Sequence, residues 1–230
     1  MSLLVAAALF CGLLDDAREL EASGRLWEAG AVYEQAGSVP GECRILCALL
    51  EEALYAGHSG RAYMLLCDLE NVAGADSFQG EFDYWYARLA WTAGLDSMAI
   101  AGLESVPGDP WLVHRARGTA LLYRGLPGEA AAEFGDAMGC ATTVRRTYYA
   151  ALDLSFALLS DGRNDEAMAQ ALFLARAFPS EGLPRILEAL CCWRTGCSSR
   201  SAVLLDSLAG SPGASIAVRD MARRLLEDLE

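Results

Sequence analysis

The stretch GLPGEAAAEFGDA, from Gly125 to Ala137, contains the pattern that decides the fold. Ala130 follows the glycine by five residues, Phe134 comes four residues later, and Ala137 follows three residues after that. Side chains at these spacings lie on one face of an α-helix. The glycine ahead of them can adopt the positive φ that ends one helix and turns the chain into the next. The stretch therefore predicts a turn followed by a helix, in which the small side chain of Ala130 allows a close approach to the helix before the turn.

The same pattern recurs along the chain at intervals of 31 to 37 residues. The glycines that open it are Gly24, Gly57, Gly94, Gly125, Gly162 and Gly196. The small residues five positions further on are Ala29, Ala62, Ala99, Ala130, Ala167 and Ser201. Four positions beyond them lie Tyr33, Leu66, Leu103, Phe134, Ala171 and Leu205. Because one helix pair cannot bury its own apolar face, the recurrence predicts helix pairs that stack in succession.

This pattern resembles the tetratricopeptide repeat (TPR) family, whose helix pairs recur about every 34 residues. The family expects a small residue on each first helix, and these positions hold Ala17, Leu50, Ala87, Gly118, Ser155 and Ala189. An aromatic or leucine residue expected nearby is replaced by Asp83, His114 and Arg185, so the first helices match less closely. The resemblance implies an all-α fold, a right-handed α-solenoid of antiparallel helix pairs, with six TPR-like repeats over residues 10–213.

The two ends of the chain are predicted to differ from the repeats. Residues 214–230 carry apolar side chains at helical spacing and predict a C-terminal capping helix, with Ser211 as N-cap and Pro212 at its first position. Residues 1–9 are apolar and are interpreted as an extension of the first helix, or as part of a signal peptide within residues 1–14. The apolar run has no Lys or Arg before it and no small-residue cleavage site directly after it, which favours the helix and a cytoplasmic protein. Export to the periplasm stays open as the alternative.

Composition excludes several classes of function. The chain is 53% apolar, which excludes intrinsic disorder, and its net charge is −13. So acidic a protein repels phosphate backbones and anionic lipid headgroups, so neither nucleic acid nor a membrane surface is an expected partner. The eight cysteines include no C-x-x-C pair, and with two histidines they predict no metal site and no cofactor. Buried free thiols are favoured over the disulfides that an exported protein would contain.

The sequence predicts no catalytic site. The nucleophile-elbow, phosphate-loop and dinucleotide-binding motifs are absent from it. Of the two histidines, His58 follows a repeat glycine and is expected in a turn, while His114 is expected on a first helix with no nucleophile beside it in sequence. The chain is therefore predicted not to be an enzyme.

The TPR resemblance implies a concave groove lined by the first helices, and therefore a protein or peptide partner. The residues that it places on this groove are Tyr84, Arg88, Trp91, Arg115, Tyr123, Tyr149, Phe156 and Trp193. Aromatic and arginine side chains in a recess are typical anchors of a protein interface. Packing of the same side chains inside the solenoid core is the alternative. The Lys-containing carboxylate clamp of some family members is excluded, because every basic residue here is Arg.

These observations favour a scaffold or adaptor that holds an apolar or aromatic segment of a partner. An exported TPR component of a bacterial envelope assembly, such as a pilus or an outer-membrane machine, is the alternative. An enzyme with an unrecognised site comes third.

Overall fold

The computed structural model describes residues 13–21, 23, 25–73 and 79–229. The apolar segment 1–9, Cys11 and Gly24 lie outside the described residues, so the expectations that concern them stay predictions. The chain forms two compact units, Met1–Phe78 and Gln79–Glu230.

The described part of the first unit consists of helices joined by short turns. They are α1 (13–21), α2 (Leu26–Gln35), α3 (Val39–Tyr55) and α4 (Ser59–Ala73). Helix α2 packs on α3, and α3 packs on α4.

The described part of the second unit contains nine helices. They are α5 (Gln79–Thr92), α6 (Asp96–Glu104), α7 (Pro110–Tyr123), α8 (Pro127–Cys140), α9 (Val144–Ser160), α10 (Asn164–Ala177), α11 (Leu183–Arg194), α12 (Ser198–Ala209) and α13 (Ile216–Glu227). Each helix packs against the next one in the chain. Every second helix also contacts the next of its kind, since α5 touches α7, α7 touches α9, α9 touches α11, and α11 touches α13.

The all-α fold that the sequence predicts is confirmed. Over the described residues there are thirteen helices and no strand, arranged as six successive pairs and a last helix. No helix in the described ranges is both long and apolar enough to cross a membrane. The division into TPR repeats and the right-handed superhelix stay predictions.

One kind of turn joins the two helices of each pair in which the glycine is described. Gly57, Gly94, Gly125, Gly162 and Gly196 have φ between 71° and 82°. At Gly125, the N–H of Leu126 donates to the carbonyl of Leu121 at 2.9 Å, which closes a six-residue loop around the end of α7. Residues with a Cβ rarely adopt this positive φ, so the glycine determines where each first helix ends.

The small residues after these turns form the tight contacts of the core. Ala29, Ala62, Ala99, Ala130 and Ala167 are 0% exposed, and Ser201 is 1% exposed. Across the α7–α8 contact, a Cβ added to Gly118 would lie 2.6 Å from Cε1 of Phe134. Helices α7 and α8 therefore approach each other so closely that only a residue without a Cβ fits at position 118.

The predicted start of the last helix is wrong. Helix α13 begins at Ile216, and its N-cap is Ser215, whose hydroxyl accepts from the N–H of Val218 at 3.2 Å. Pro212 and Gly213 lie in the turn before it. Ser215 has the extended backbone that an N-cap requires, with ψ at 157°. Helix α13 packs on α12 and α11, and its role as a cap stays a prediction.

Candidate partner-binding surface

The eight predicted groove residues all lie on α5, α7, α9 and α11, which we call the first helices of the second unit. They separate into two groups by exposure. Tyr84, Arg115 and Tyr149 are buried, at 0%, 1% and 8% exposure, and we call their region the buried end. The other residues are accessible: Arg88, Trp91, Tyr123 and Phe156 are half-buried, and Trp193 is exposed. Trp91, Tyr123, Phe156 and Trp193 lie nearer the carboxyl ends of their helices, and we call them the aromatic end.

An ion pair lies at the centre of the buried end. Nε of Arg115, on α7, donates to Oδ2 of Asp153, on α9, at 2.5 Å. Both residues are buried, so water screens their attraction little. The pair therefore links two successive first helices, and each charge offsets part of the cost of burying the other.

Aromatic rings surround the buried guanidinium. The Cζ atom of Arg115 lies 5.1 Å from the ring centroid of Tyr84, 5.3 Å from that of Trp111 and 5.2 Å from that of Tyr149. The negative face of an aromatic ring attracts a cation at such distances, which offsets part of the cost of removing Arg115 from water. These contacts make Arg115 part of the internal packing. The prediction that Tyr84, Arg115 and Tyr149 contact a partner stays untested.

Further polar contacts join the first helices at the same end. The indole N–H of Trp111, on α7, donates to the carbonyl of Arg146, on α9, at 3.1 Å. Arg145, on α9, pairs at 2.5 Å with Glu181, which lies two residues before the start of α11. The buried end is therefore held together by contacts that run from each first helix towards the next.

Two rings of the aromatic end form a stacked pair. The centroids of Trp91 and Tyr123 are 3.9 Å apart and their planes differ by 7°. Trp91 lies one residue before the end of α5, and Tyr123 is the last residue of α7. Both side chains are half-buried, so the pair joins two first helices and still presents aromatic surface to solvent.

The sequence did not reveal the partners of the charged groups. Asp153 was not singled out, because nothing in its local pattern shows that Arg115 lies beside it.

A second group of charged side chains lies around His114. Its Nδ1 lies 2.7 Å from Oε2 of Glu133, and the ligand atoms of His114, Glu133 and Asp136 all lie within 4.8 Å of one another. An imidazole and two carboxylates are groups that hold divalent cations. The hydrogen bond between His114 and Glu133 uses one imidazole nitrogen and one carboxylate oxygen.

A cleft in the first unit was also missed. Its volume is about 350 Å³, and its floor includes Ile45 and Leu49 beside Trp27. Glu34 and Glu42 lie at its rim, and burial together with the charge of Glu34 raises the pKa of Glu42. The residues come from α2, α3 and α4, so no single stretch of sequence indicates the cleft.

Comparison with known proteins names no family for this chain. No family model matches it, and no curated protein sequence matches it. Among solved structures it is similar to one described as the crystal structure of the P58(IPK) TPR domain, with 12% identity, 95% of this chain and 79% of that chain covered, and a TM-score of 0.34. The chain's own geometry gives the class, which is an all-α protein of successive helix pairs.

Proposed function

We propose that the chain is a non-catalytic interaction module of the TPR kind, which binds an apolar or aromatic segment of a partner protein. The anchors would be Trp91, Tyr123, Phe156 and Trp193. They lie on four successive first helices, so a segment that crosses these helices could contact each of them. The observation that carries the proposal is the accessible stacked pair of Trp91 and Tyr123.

The stacked pair supports binding for a physical reason. Large aromatic rings supply wide contact area, and only two side-chain torsions must be fixed when they bind. Because Trp91 and Tyr123 already hold each other, part of that ordering cost is met before a partner arrives. Trp193, 41% exposed, adds a further ring on α11.

The proposal includes no reaction, cofactor or metal. Arg115 is not among the proposed anchors, because its charge is paired with Asp153 inside the protein. Our proposal places the protein in the cytoplasm. The exported alternative concerns residues 1–14, and N-terminal sequencing of the protein from its native source would test it.

A display library of short random peptides tests the proposal without knowledge of the natural partner. We expect selection on the full chain to enrich peptides that carry aromatic or large aliphatic residues. Trp91→Ala and Trp193→Ala should each weaken the binding of these peptides by about 2 kcal/mol or more, roughly thirty-fold in Kd, as anchors do. Fluorescence anisotropy on labelled peptides gives the Kd values.

Trp27→Ala is the matched control, since Trp27 is an exposed tryptophan of the first unit, 55% accessible. It should leave the Kd values unchanged. Peptides that lose binding only in Trp27→Ala would place the binding site at the cleft of the first unit. The proposal would be contradicted if none of the three substitutions changed the Kd of the selected peptides, or if no peptides were enriched.

A further inference from the structure

The turn between α11 and α12 places two cysteines opposite each other. Gly196 has φ at 82°, and the N–H of Cys197 donates to the carbonyl of Cys192 at 2.8 Å. This is the six-residue loop found at the other helix ends of this type. The corresponding residue pairs there are Leu20 and Arg25, Tyr33 and Ser38, Ala53 and His58, Ala90 and Leu95, Leu121 and Leu126, and Leu158 and Arg163. A pair of thiols occupies these positions at this turn and at none of those six.

The backbone bond brings the two residues within bridging range. Standard bond lengths around a 2.8 Å contact leave the Cα atoms of Cys192 and Cys197 no more than about 7 Å apart. Disulfides usually join Cα atoms about 4.4 to 6.8 Å apart. Side chains at these two positions of the loop commonly contact each other across it. The fold therefore holds the thiols together without any change in the backbone hydrogen bonds.

The two thiols differ in access to solvent. Cys197 is exposed, whereas Cys192 is 2% exposed. Burial raises the pKa of Cys192, and the guanidinium of Arg200 partly opposes that effect. Arg200 stays in place through a 2.8 Å hydrogen bond to Glu188. An oxidant from solution would therefore meet Cys197 first, with Cys192 behind it.

We propose that Cys192 and Cys197 form a reversible disulfide, with a small-molecule disulfide such as glutathione disulfide as the oxidant. The thiolate of Cys197 attacks one sulfur of glutathione disulfide, which forms a mixed disulfide and releases one glutathione thiolate. Cys192, as its thiolate, then attacks the sulfur of Cys197 and displaces the second glutathione. Two protein thiols are oxidised, one glutathione disulfide is reduced to two glutathione molecules, and the two protons of the protein thiols end on the sulfurs of those two glutathione molecules.

The bridge would close a ring around the end of α11. Trp193 and Gly196 lie inside that ring, between the two cysteines. Oxidation would therefore fix the last turn of α11 to the start of α12. The disulfide depends only on this turn, and it would form whether or not Trp193 binds a partner.

Peptide mapping of the reduced full chain after exposure to excess glutathione disulfide tests the proposal. Trypsin cleaves after Arg194, so the bridge would join the peptides ILEALCCWR and TGCSSR. We expect this linked pair as the main product at Cys197. Cys140 is an internal comparison, because it is also exposed and residue 135, five positions before it, is Gly, so it lacks the thiol that Cys197 has at Cys192. Glutathione should remain on Cys140 at a level at least about tenfold above that on Cys197.

Two variants locate the second thiol and are compatible with the fold. Cys192→Ala should abolish the linked pair and leave glutathione on Cys197; alanine already occupies this place at Ala53 and Ala90. Cys191→Ala removes the neighbouring thiol and should leave the bridge intact. Equal glutathione on Cys197 and Cys140 in the unaltered chain would overturn the proposal. A linked pair that survives Cys192→Ala would overturn it as well.

Discussion

The buried end and the aromatic end share helices α5, α7 and α9 and contain similar residues, yet only the aromatic end faces solvent. At the buried end, Tyr84 and Tyr149 pack around the guanidinium of Arg115, which Asp153 neutralises. At the aromatic end, Trp91 and Tyr123 stack on each other, and no charge lies between their rings. The difference shows that the burial of an aromatic side chain on a first helix depends on the contacts it makes with the neighbouring first helix.

The comparison shows which of the predicted groove residues are accessible to solvent and which are buried. The TPR resemblance assigns whole faces of the first helices to partner contact. A buried Arg costs free energy unless an opposite charge pairs with it. Asp153 supplies that charge, so this part of the face can be buried. The remaining accessible rings define a smaller surface near the carboxyl ends of the helices.

The largest expected effect tests the buried end. Arg115→Met should lower the free energy of unfolding by about 3–5 kcal/mol, because it leaves the carboxylate of Asp153 buried without its cation. Denaturant unfolding followed by circular dichroism measures the change. Arg117→Met, at an exposed arginine on the same helix, should change stability by no more than about 0.5 kcal/mol.

The double variant Arg115→Met with Asp153→Leu separates charge from packing. Removal of both charges should recover most of the lost stability, since apolar pairs often replace buried ion pairs without cost. If Arg115→Met alone unfolds like the unaltered chain, Arg115 does not depend on a buried ion pair with Asp153, and the contrast between the two ends fails.

A smaller effect is expected at the contact that every pair shares. Ala99→Leu should destabilise the protein by about 1–3 kcal/mol, because Ala99 is 0% exposed and a larger side chain would force α6 from α5. Ala101→Leu, at an exposed alanine two residues on, adds the same atoms without a close neighbour and should have little effect. Equal melting temperatures for both variants would mean that the small residue after the turn is not a tight contact.

The fold was largely predictable because its signals are local. A glycine with positive φ, a small residue five positions later and a larger residue beyond it all lie within one turn and one helix. Each of these requirements acts through the backbone or a neighbouring helix turn. The start of α13 was misplaced because Ser211 with Pro212 and Ser215 are both plausible starts in sequence, and it is Ser215 whose hydroxyl accepts from the N–H of Val218.

The candidate surface was less predictable because it depends on contacts between distant residues. The Arg115–Asp153 pair joins residues 38 positions apart, and the Trp91–Tyr123 stack joins two helices with α6 between them in the chain. A helical pattern places a side chain on a face, and it does not say whether a partner on the next helix covers that face. Sequence therefore predicted the helices on which these rings lie, and the structure separates the rings into a buried and an accessible group. Contact of the rings with a partner stays a prediction.

The smallest effect concerns the stacked pair, and it distinguishes a paired surface from a core. In a double-mutant cycle of Trp91→Ala and Tyr123→Ala, we expect the two substitutions to couple by about 0.5–1.5 kcal/mol in the free energy of unfolding, as stacked rings do. Each single substitution should cost less than the roughly 3–5 kcal/mol typical of a buried aromatic ring, because both rings are half-buried. The control cycle pairs Trp91→Ala with Trp193→Ala, on α5 and α11, and should be additive within about 0.5 kcal/mol.

If each single substitution lowers the free energy of unfolding as much as the loss of a buried ring does, Trp91 and Tyr123 belong to the core, and the two ends of the first helices are then alike. Additive costs for Trp91 and Tyr123 would mean instead that the rings do not support each other, and the pre-ordering on which the proposed binding surface relies would be lost.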